Sequence, residues 1–243
     1  MKVLAIGNSF SEDAMRYLHS IAKCDNTDLM CVNLMIGGCS LRTHHVNMLS
    51  DKKAYGLQFN GQATGFSVTL KEALLAHEWD YITIQQASYL SINYDTYEPY
   101  IKEVINFVRK CVPKAKIVVH QTWAYEDGSK RLCNELGYSN HADMFADIEK
   151  AYKKAEKAID SDLVIPSGAL FQKLLSNGIE KIHRDTFHAK LGLGRYALGL
   201  LWYSMLTGND IENNTFCEFD EEVTKEDIEI IKKCVKEVVK EYK

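Results

Sequence analysis

Apolar positions along the chain follow two periods in alternation. Short apolar runs at Lys2 to Gly7, Leu29 to Leu34, Tyr81 to Gln85, Lys116 to Gln121 and Leu163 to Pro166 read as strands covered on both faces, because each is mostly apolar rather than alternating. Between them, helical-period segments run near Glu12 to Cys24, Leu70 to His77, Pro99 to Val112, Ala142 to Ile159, Leu170 to Leu175 and Leu191 to Leu206. A charged amphipathic helix follows from Lys225 to Lys240. The first helix shows the logic. Met15, Leu18, Ile21 and Ala22 share one face, while Glu12 and Asp13 occupy the first turn, where the helix dipole favours carboxylates. Strands alternating with helices predict an α/β fold with a five-stranded parallel sheet. Thr43 to Gly65 has little periodicity and reads as a long excursion from the carboxyl end of the second strand. No repeat, low-complexity tract or Pro/Gly-rich linker interrupts the pattern, so one domain over residues 1–243 is expected.

Composition narrows the partners. With 46% hydrophobic and 10% aromatic residues the chain has ample material for a core. Its 29 basic and 33 acidic residues leave a net charge of -4, too small to announce nucleic acid, an anionic membrane or a polyanion, so a small-molecule partner is expected. Seven dispersed cysteines without a C-x-x-C pair argue against a disulfide framework and a zinc site; reduced, mainly buried thiols are expected. No apolar stretch approaches about eighteen residues, and the N-terminus lacks an apolar leader core. The chain as written is therefore expected to be soluble and cytoplasmic; an export signal removed beforehand would leave no trace in it.

In open α/β sheets ligands bind at the carboxyl ends of the strands. That rule gathers Gly7-Asn8-Ser9, Gly37-Gly38, Gln85-Gln86 and Gln121-Thr122-Trp123 around one crevice, because each follows an expected strand. A serine hydroxyl needs a base to take its proton and a third group to orient that base. Ser9, directly after the first strand and beside a helix N-terminus, is the candidate nucleophile. His188 is the candidate base, and Asp185, three residues earlier, is close enough to turn its carboxylate toward the imidazole within one loop. Gly38, with no Cβ to block approach, offers a backbone N–H to an oxyanion.

Gly7-Asn8-Ser9-Phe10-Ser11, Gly38 and Asp185-x-x-His188 resemble the blocks of the SGNH (GDSL-like) hydrolase superfamily, in order and spacing over nearly the whole chain. Ile36-Gly37-Gly38-Cys39-Ser40-Leu41, Gln85-Gln86-Ala87-Ser88 and Thr122-Trp123-Ala124-Tyr125 resemble an uncharacterised bacterial branch of it. The resemblance implies a flavodoxin-like three-layer α/β/α sandwich, ester hydrolysis through a Ser9–His188–Asp185 triad, an oxyanion hole from the Ser9 and Gly38 backbone N–H groups, and no cofactor. The superfamily usually adds an Asn donor in a Gly-x-Asn motif after the third strand; here Gln85-Gln86 stands there, so Gln86, or else Gln85, is the expected substitute. Asn8 replaces the more familiar Asp beside the nucleophile.

Each feature has a plainer reading. Ser9-x-x-Glu12 also fits a capping box, with Ser11 as another cap, and Gly37-Gly38 fits a simple turn. His183-x-Asp185-x-x-His188 lacks the further ligands a metal site needs. Asn8, His44 and Trp123 are carried as candidate substrate contacts, His44 from the excursion and Trp123 as a ring for stacking on a sugar or acyl group. The expected substrate is a small-molecule or carbohydrate ester bearing a small O-acyl group, plausibly acetyl. A lipase- or thioesterase-type hydrolase would need a long apolar groove, and no greasy segment offers one. A catalytically silent glycan-binding protein would have little reason to keep Ser9, Asp185 and His188 together.

Overall fold

The computed structural model describes all 243 residues. Its strands are β1 (Lys2–Gly7), β2 (Met30–Met35), β3 (Tyr55–Phe59), β4 (Gln62–Val68), β5 (Tyr81–Ile84), β6 (Lys116–Gln121) and β7 (Leu163–Pro166), ordered β4-β3-β2-β1-β5-β6-β7 in one sheet. The five expected strands are β2, β1, β5, β6 and β7, all parallel, with Val3 beside both Cys31 and Tyr81. Numbered along the chain among themselves, they run 2-1-3-4-5, a doubly wound order whose switch point lies at β1. Val3, Leu4, Ala5 and Ile6 are fully buried, as a strand covered on both faces must be.

The sheet has seven strands and is mixed, which corrects the expectation of five parallel strands. The segment read as an excursion holds most of helix α3 (Leu41–Leu49) and of the β3–β4 hairpin, in which β3 runs antiparallel to β2 and β4 antiparallel to β3. β4 is exposed at nearly every position, so no alternating pattern marks it. A cue is nonetheless present. Asn60 and Gly61 both take positive φ, 49° and 79°, the two-residue turn that closes tight hairpins. A Cβ on Gly61 would lie 2.2 Å from the Arg16 carbonyl oxygen, which reserves the position for glycine.

The remaining helices are α1 (Ser9–Met15), α2 (Leu18–Cys24), α4 (Leu70–Leu75), α5 (Tyr100–Cys111), α6 (His141–Ala158), α7 (Ser167–Ser176), α8 (Leu193–Thr207) and α9 (Lys225–Tyr242). The expected first helix is thus two. At Tyr17 the chain breaks, and the phenol donates to the Leu191 carbonyl (2.8 Å) while accepting the Asp220 N–H (2.7 Å). Two packs of helices flank the sheet: α3, α4 and α5 touch one another, and α8 touches α1, α2, α7 and α9. α8 is buried over almost its entire length, from Leu193 to Leu206, which is why its sequence is apolar all round. No helix is long and apolar enough to cross a membrane. All seven cysteines are unpaired; Cys31, Cys39 and Cys234 are buried, but Cys24, Cys133 and Cys217 are exposed, against the expectation of mainly buried thiols.

Candidate active site

Ser9 is the first residue of α1, at the carboxyl end of the central strand. Asn8, not Ser9, caps the helix: its Oδ1 accepts the Phe10 N–H at 2.9 Å, and Ser11 Oγ accepts the Asn8 N–H at 3.0 Å, closing the reciprocal box. The Ser9 hydroxyl is thereby left for other work. Gly7 makes the turn feasible, because a Cβ there would lie 1.9 Å from Ser11 Oγ.

Asn8 is 1% exposed, so it is no substrate contact. Its Oδ1 also accepts Gln85 Nε2 (2.7 Å), and its Nδ2 donates to the Cys39 carbonyl (3.1 Å). An aspartate would have no hydrogen for Cys39, which accounts for a neutral amide here. Behind Gln85, its Oε1 pairs with His120 Nδ1 at 2.6 Å, and His120 Nε2 pairs with Ser167 Oγ at 3.0 Å. Burial pushes His120 down to about 3, so it stays neutral and serves as a fixed strut. In the sequence, the signal of this role is a polar residue inside an apolar strand run, Lys116 to Gln121.

His188 arrives on the loop between Ile182 and Lys190. A bridge between His183 and Ala189 pinches it shut, and Thr186 takes φ 74° within it. Asp185 Oδ2 lies 2.7 Å from His188 Nδ1, and its Oδ1 accepts the His188 backbone N–H at 2.9 Å. His188 Nε2 lies 2.8 Å from Ser9 Oγ. The three side chains form a continuous relay across 179 residues of sequence. Burial raises the Asp185 carboxyl, but the hydrogen bonds from His188 outweigh it and hold the group below the ordinary carboxylate range. His183 belongs to the frame: it is buried, its Nε2 meets the Ala124 carbonyl at 3.0 Å, and burial lowers it to about 4.

Several expected contacts fall elsewhere. Gln86 is fully buried; its Nε2 donates to the Thr96 carbonyl (3.0 Å) and Oγ1 (3.2 Å), and its Oε1 accepts Leu41 and Ala87 N–H groups at 2.9 Å. Both amide hydrogens are committed, so Gln86 has none to offer an oxyanion. Gln85, 2% exposed, is turned toward Asn8 and His120. Trp123 is fully buried, stacks on Phe10 at 4.1 Å and donates Nε1–H to the Phe187 carbonyl at 2.8 Å, so it supports the loop and offers no open face. His44 is fully buried against Tyr55 and Cys39, lowered by burial to about 3, and touches no solvent. Gly38 does lie open, with φ 63° and nothing within 4 Å of where a Cβ would sit.

Comparison with solved structures agrees with this architecture. A DUF4886 family protein from Bacteroides uniformis superposes with a TM-score of 0.92 at 32% identity, covering 98% of this chain and 94% of that one. A proposed SGNH hydrolase from Slackia heliotrinireducens matches at TM-score 0.60 and 19% identity over 85% of this chain and 98% of its own. The esterase EstA from Pseudoalteromonas matches at 0.53 and 10% over 85% and 97%. At those lower identities the likeness is one of fold. No curated protein matches the chain. The DUF4886 profile, described as a domain of unknown function, matches residues 2–237, and the chain belongs to that family.

Proposed function

We propose that the chain is a serine esterase that removes small O-acyl groups, acetyl foremost, from a hydrophilic, sugar-like alcohol. The observation that carries this reading is the relay from Asp185 through His188 to Ser9, at 2.7 and 2.8 Å. His188 Nε2 takes the Ser9 proton as Oγ bonds to the ester carbonyl carbon. The oxyanion meets the N–H groups of Ser9 and Gly38, and His188 returns the proton to the departing alcohol oxygen. Water then gives a proton to His188 as its oxygen bonds to the acyl carbonyl carbon; the bond to Ser9 Oγ breaks, His188 returns the proton to Oγ, and the acid leaves. A charged Asp185 stabilises the imidazolium at both stages.

A cleft of about 650 Å³ supports the hydrophilic substrate. Its lining begins at Ser40, two residues along the chain from Gly38, and includes the apolar Val46 and Leu90; Gln86 ties Leu41, next to Ser40, to Thr96 on the facing wall. Arg42 and Asp95 line it without an ion-pair partner, beside the rings of Tyr89 and Tyr100. Burying an alkyl chain there would desolvate both charges without compensation, whereas hydroxyl groups would satisfy them. An ester series from p-nitrophenyl acetate to long-chain esters, alongside an acetylated sugar, tests the reading. Wild type should prefer acetyl, and Ser9→Ala and His188→Ala should each lose on the order of 10⁴-fold or more in kcat. Undiminished turnover by Ser9→Ala, or a rate that rises with chain length, would defeat it.

A further inference from the structure

We infer that Asp13 is a positioning residue for the base: a buried carboxylate on the nucleophile's own helix that holds both ends of the Asp185–His188 loop. The inference rests on the reading of Ser9 and His188 as nucleophile and base. The sequence places Asp13 in a helix first turn, but α1 starts at Ser9, so Asp13 lies one turn further in, with its side chain fully buried. It accepts from Arg184 Nη1 at 2.9 and 3.0 Å, from Arg195 Nε at 2.8 Å and from the Ala189 backbone N–H at 3.1 Å. Arg184 immediately precedes Asp185, and Ala189 immediately follows His188. The Arg184 guanidinium also donates to the Ala189 carbonyl, and its backbone N–H to the His188 carbonyl at 3.0 Å. One carboxylate thus grips the loop just before its acid and just after its base.

The placement on α1 matters as much as the partners. Asp13 lies four residues beyond Ser9, about 6 Å along the helix and on the same face. The helix that fixes Ser9 therefore also fixes the span to His188 as one rigid strut. The loop has little burial of its own to set its orientation, since Asp185 is exposed and Thr186, Phe187 and His188 are only partly covered. Its other ties are to backbone at Phe187, from Trp123 Nε1, and at Thr186, from the Glu126 N–H, and through rings, with Arg131 over Phe187 at 4.0 Å and Phe10 against His188 at 5.9 Å. Only Asp13 joins it to the nucleophile's helix through charge. Buried ion pairs return little net stability, because desolvation offsets their attraction. What two guanidiniums around one carboxylate do supply is a fixed geometry.

The test uses the whole chain and two readouts. Asp13→Asn keeps the shape and removes the charge. Its kcat on p-nitrophenyl acetate should fall about 10²-fold with KM little changed, as a displacement of about 1 Å at the base would cause. The downfield proton resonance of the Asp185–His188 hydrogen bond should shift or broaden while circular dichroism and the thermal midpoint report a folded protein. That resonance needs no turnover. A wild type without esterase activity would therefore defeat the proposed function and leave the resonance to decide this inference. Arg184→Gln, which keeps the Asp13–Arg195 pair, should show the same signature and takes over the decision if Asp13→Asn does not fold. A folded variant with wild-type kcat and an unmoved resonance overturns the inference, as does activity lost only in proportion to the folded fraction.

Discussion

Residues 7–11 and residues 183–189 each deliver one side of the hydrogen bond between Ser9 and His188, and they are built from different materials. The turn at 7–11 is closed by short, neutral, buried groups: Ser11 and Asn8 cap each other, and Gln85 and His120 stand behind Asn8. Its precision comes from exclusion of space, as the absent Cβ of Gly7 shows. The loop at 183–189 is half-covered and hangs from charged groups, with Arg184 and Arg195 on Asp13. Neutral packing fixes Ser9, and ionic contacts anchor the loop that carries His188. The two halves should accordingly fail under different insults.

Acid gives the broadest separation. His120, behind the turn, is held near 3 when folded, against an ordinary value of 6.5. A histidine whose folded value is lowered favours the folded state fully above its unfolded value, and that contribution drains away as pH falls toward the folded value. Stability should therefore decline as pH falls from about 6 to about 4. Denaturant midpoints read this directly, and a midpoint that does not move across that range would remove the neutral-strut account of the turn.

Substitution at Gly7 comes next. Alanine there must displace Ser11 Oγ, so Gly7→Ala should cost about 1–3 kcal/mol by chemical denaturation and lower kcat through the turn. A variant as stable and as active as wild type would show that the turn is not set by space. The smallest effect belongs to Gln86. An amide donating to the oxyanion would cost about 10²-fold on removal. Gln86→Ala should instead change p-nitrophenyl acetate turnover by less than about tenfold, with the larger change in KM for an acetylated sugar as the cleft walls loosen. A loss of 10²-fold in kcat alone would restore Gln86 to the oxyanion hole.

The sequence shows some of this plainly and hides the rest for physical reasons. Strand runs such as Val3 to Ile6 are legible because double-sided burial demands continuous apolar residues. Ser9, Asp185 and His188 are legible because proton transfer needs those residue types at strand ends and loops. β4 is not, since an exposed edge strand imposes no alternation. The direction of an amide is equally silent: Gln85 and Gln86 stand at the crevice, but only three-dimensional neighbours decide that one serves Asn8 and the other Thr96. Asp13 is hidden for a related reason. A carboxylate early in a helix looks like a dipole partner until the arginines from 171 and 182 positions away close on it.

That separation along the chain has a consequence for biosynthesis. Ser9 leaves the ribosome almost at once, while His188 follows 179 residues later and α8, which packs on α1, later still. A nascent chain that ends before His188 holds Ser9 without its histidine and Asp13 without Arg195. Under the proposed function such a chain is hydrolytically mute, and in a cell-free synthesis reaction the onset of ester cleavage would time the docking of the 183–189 loop onto α1.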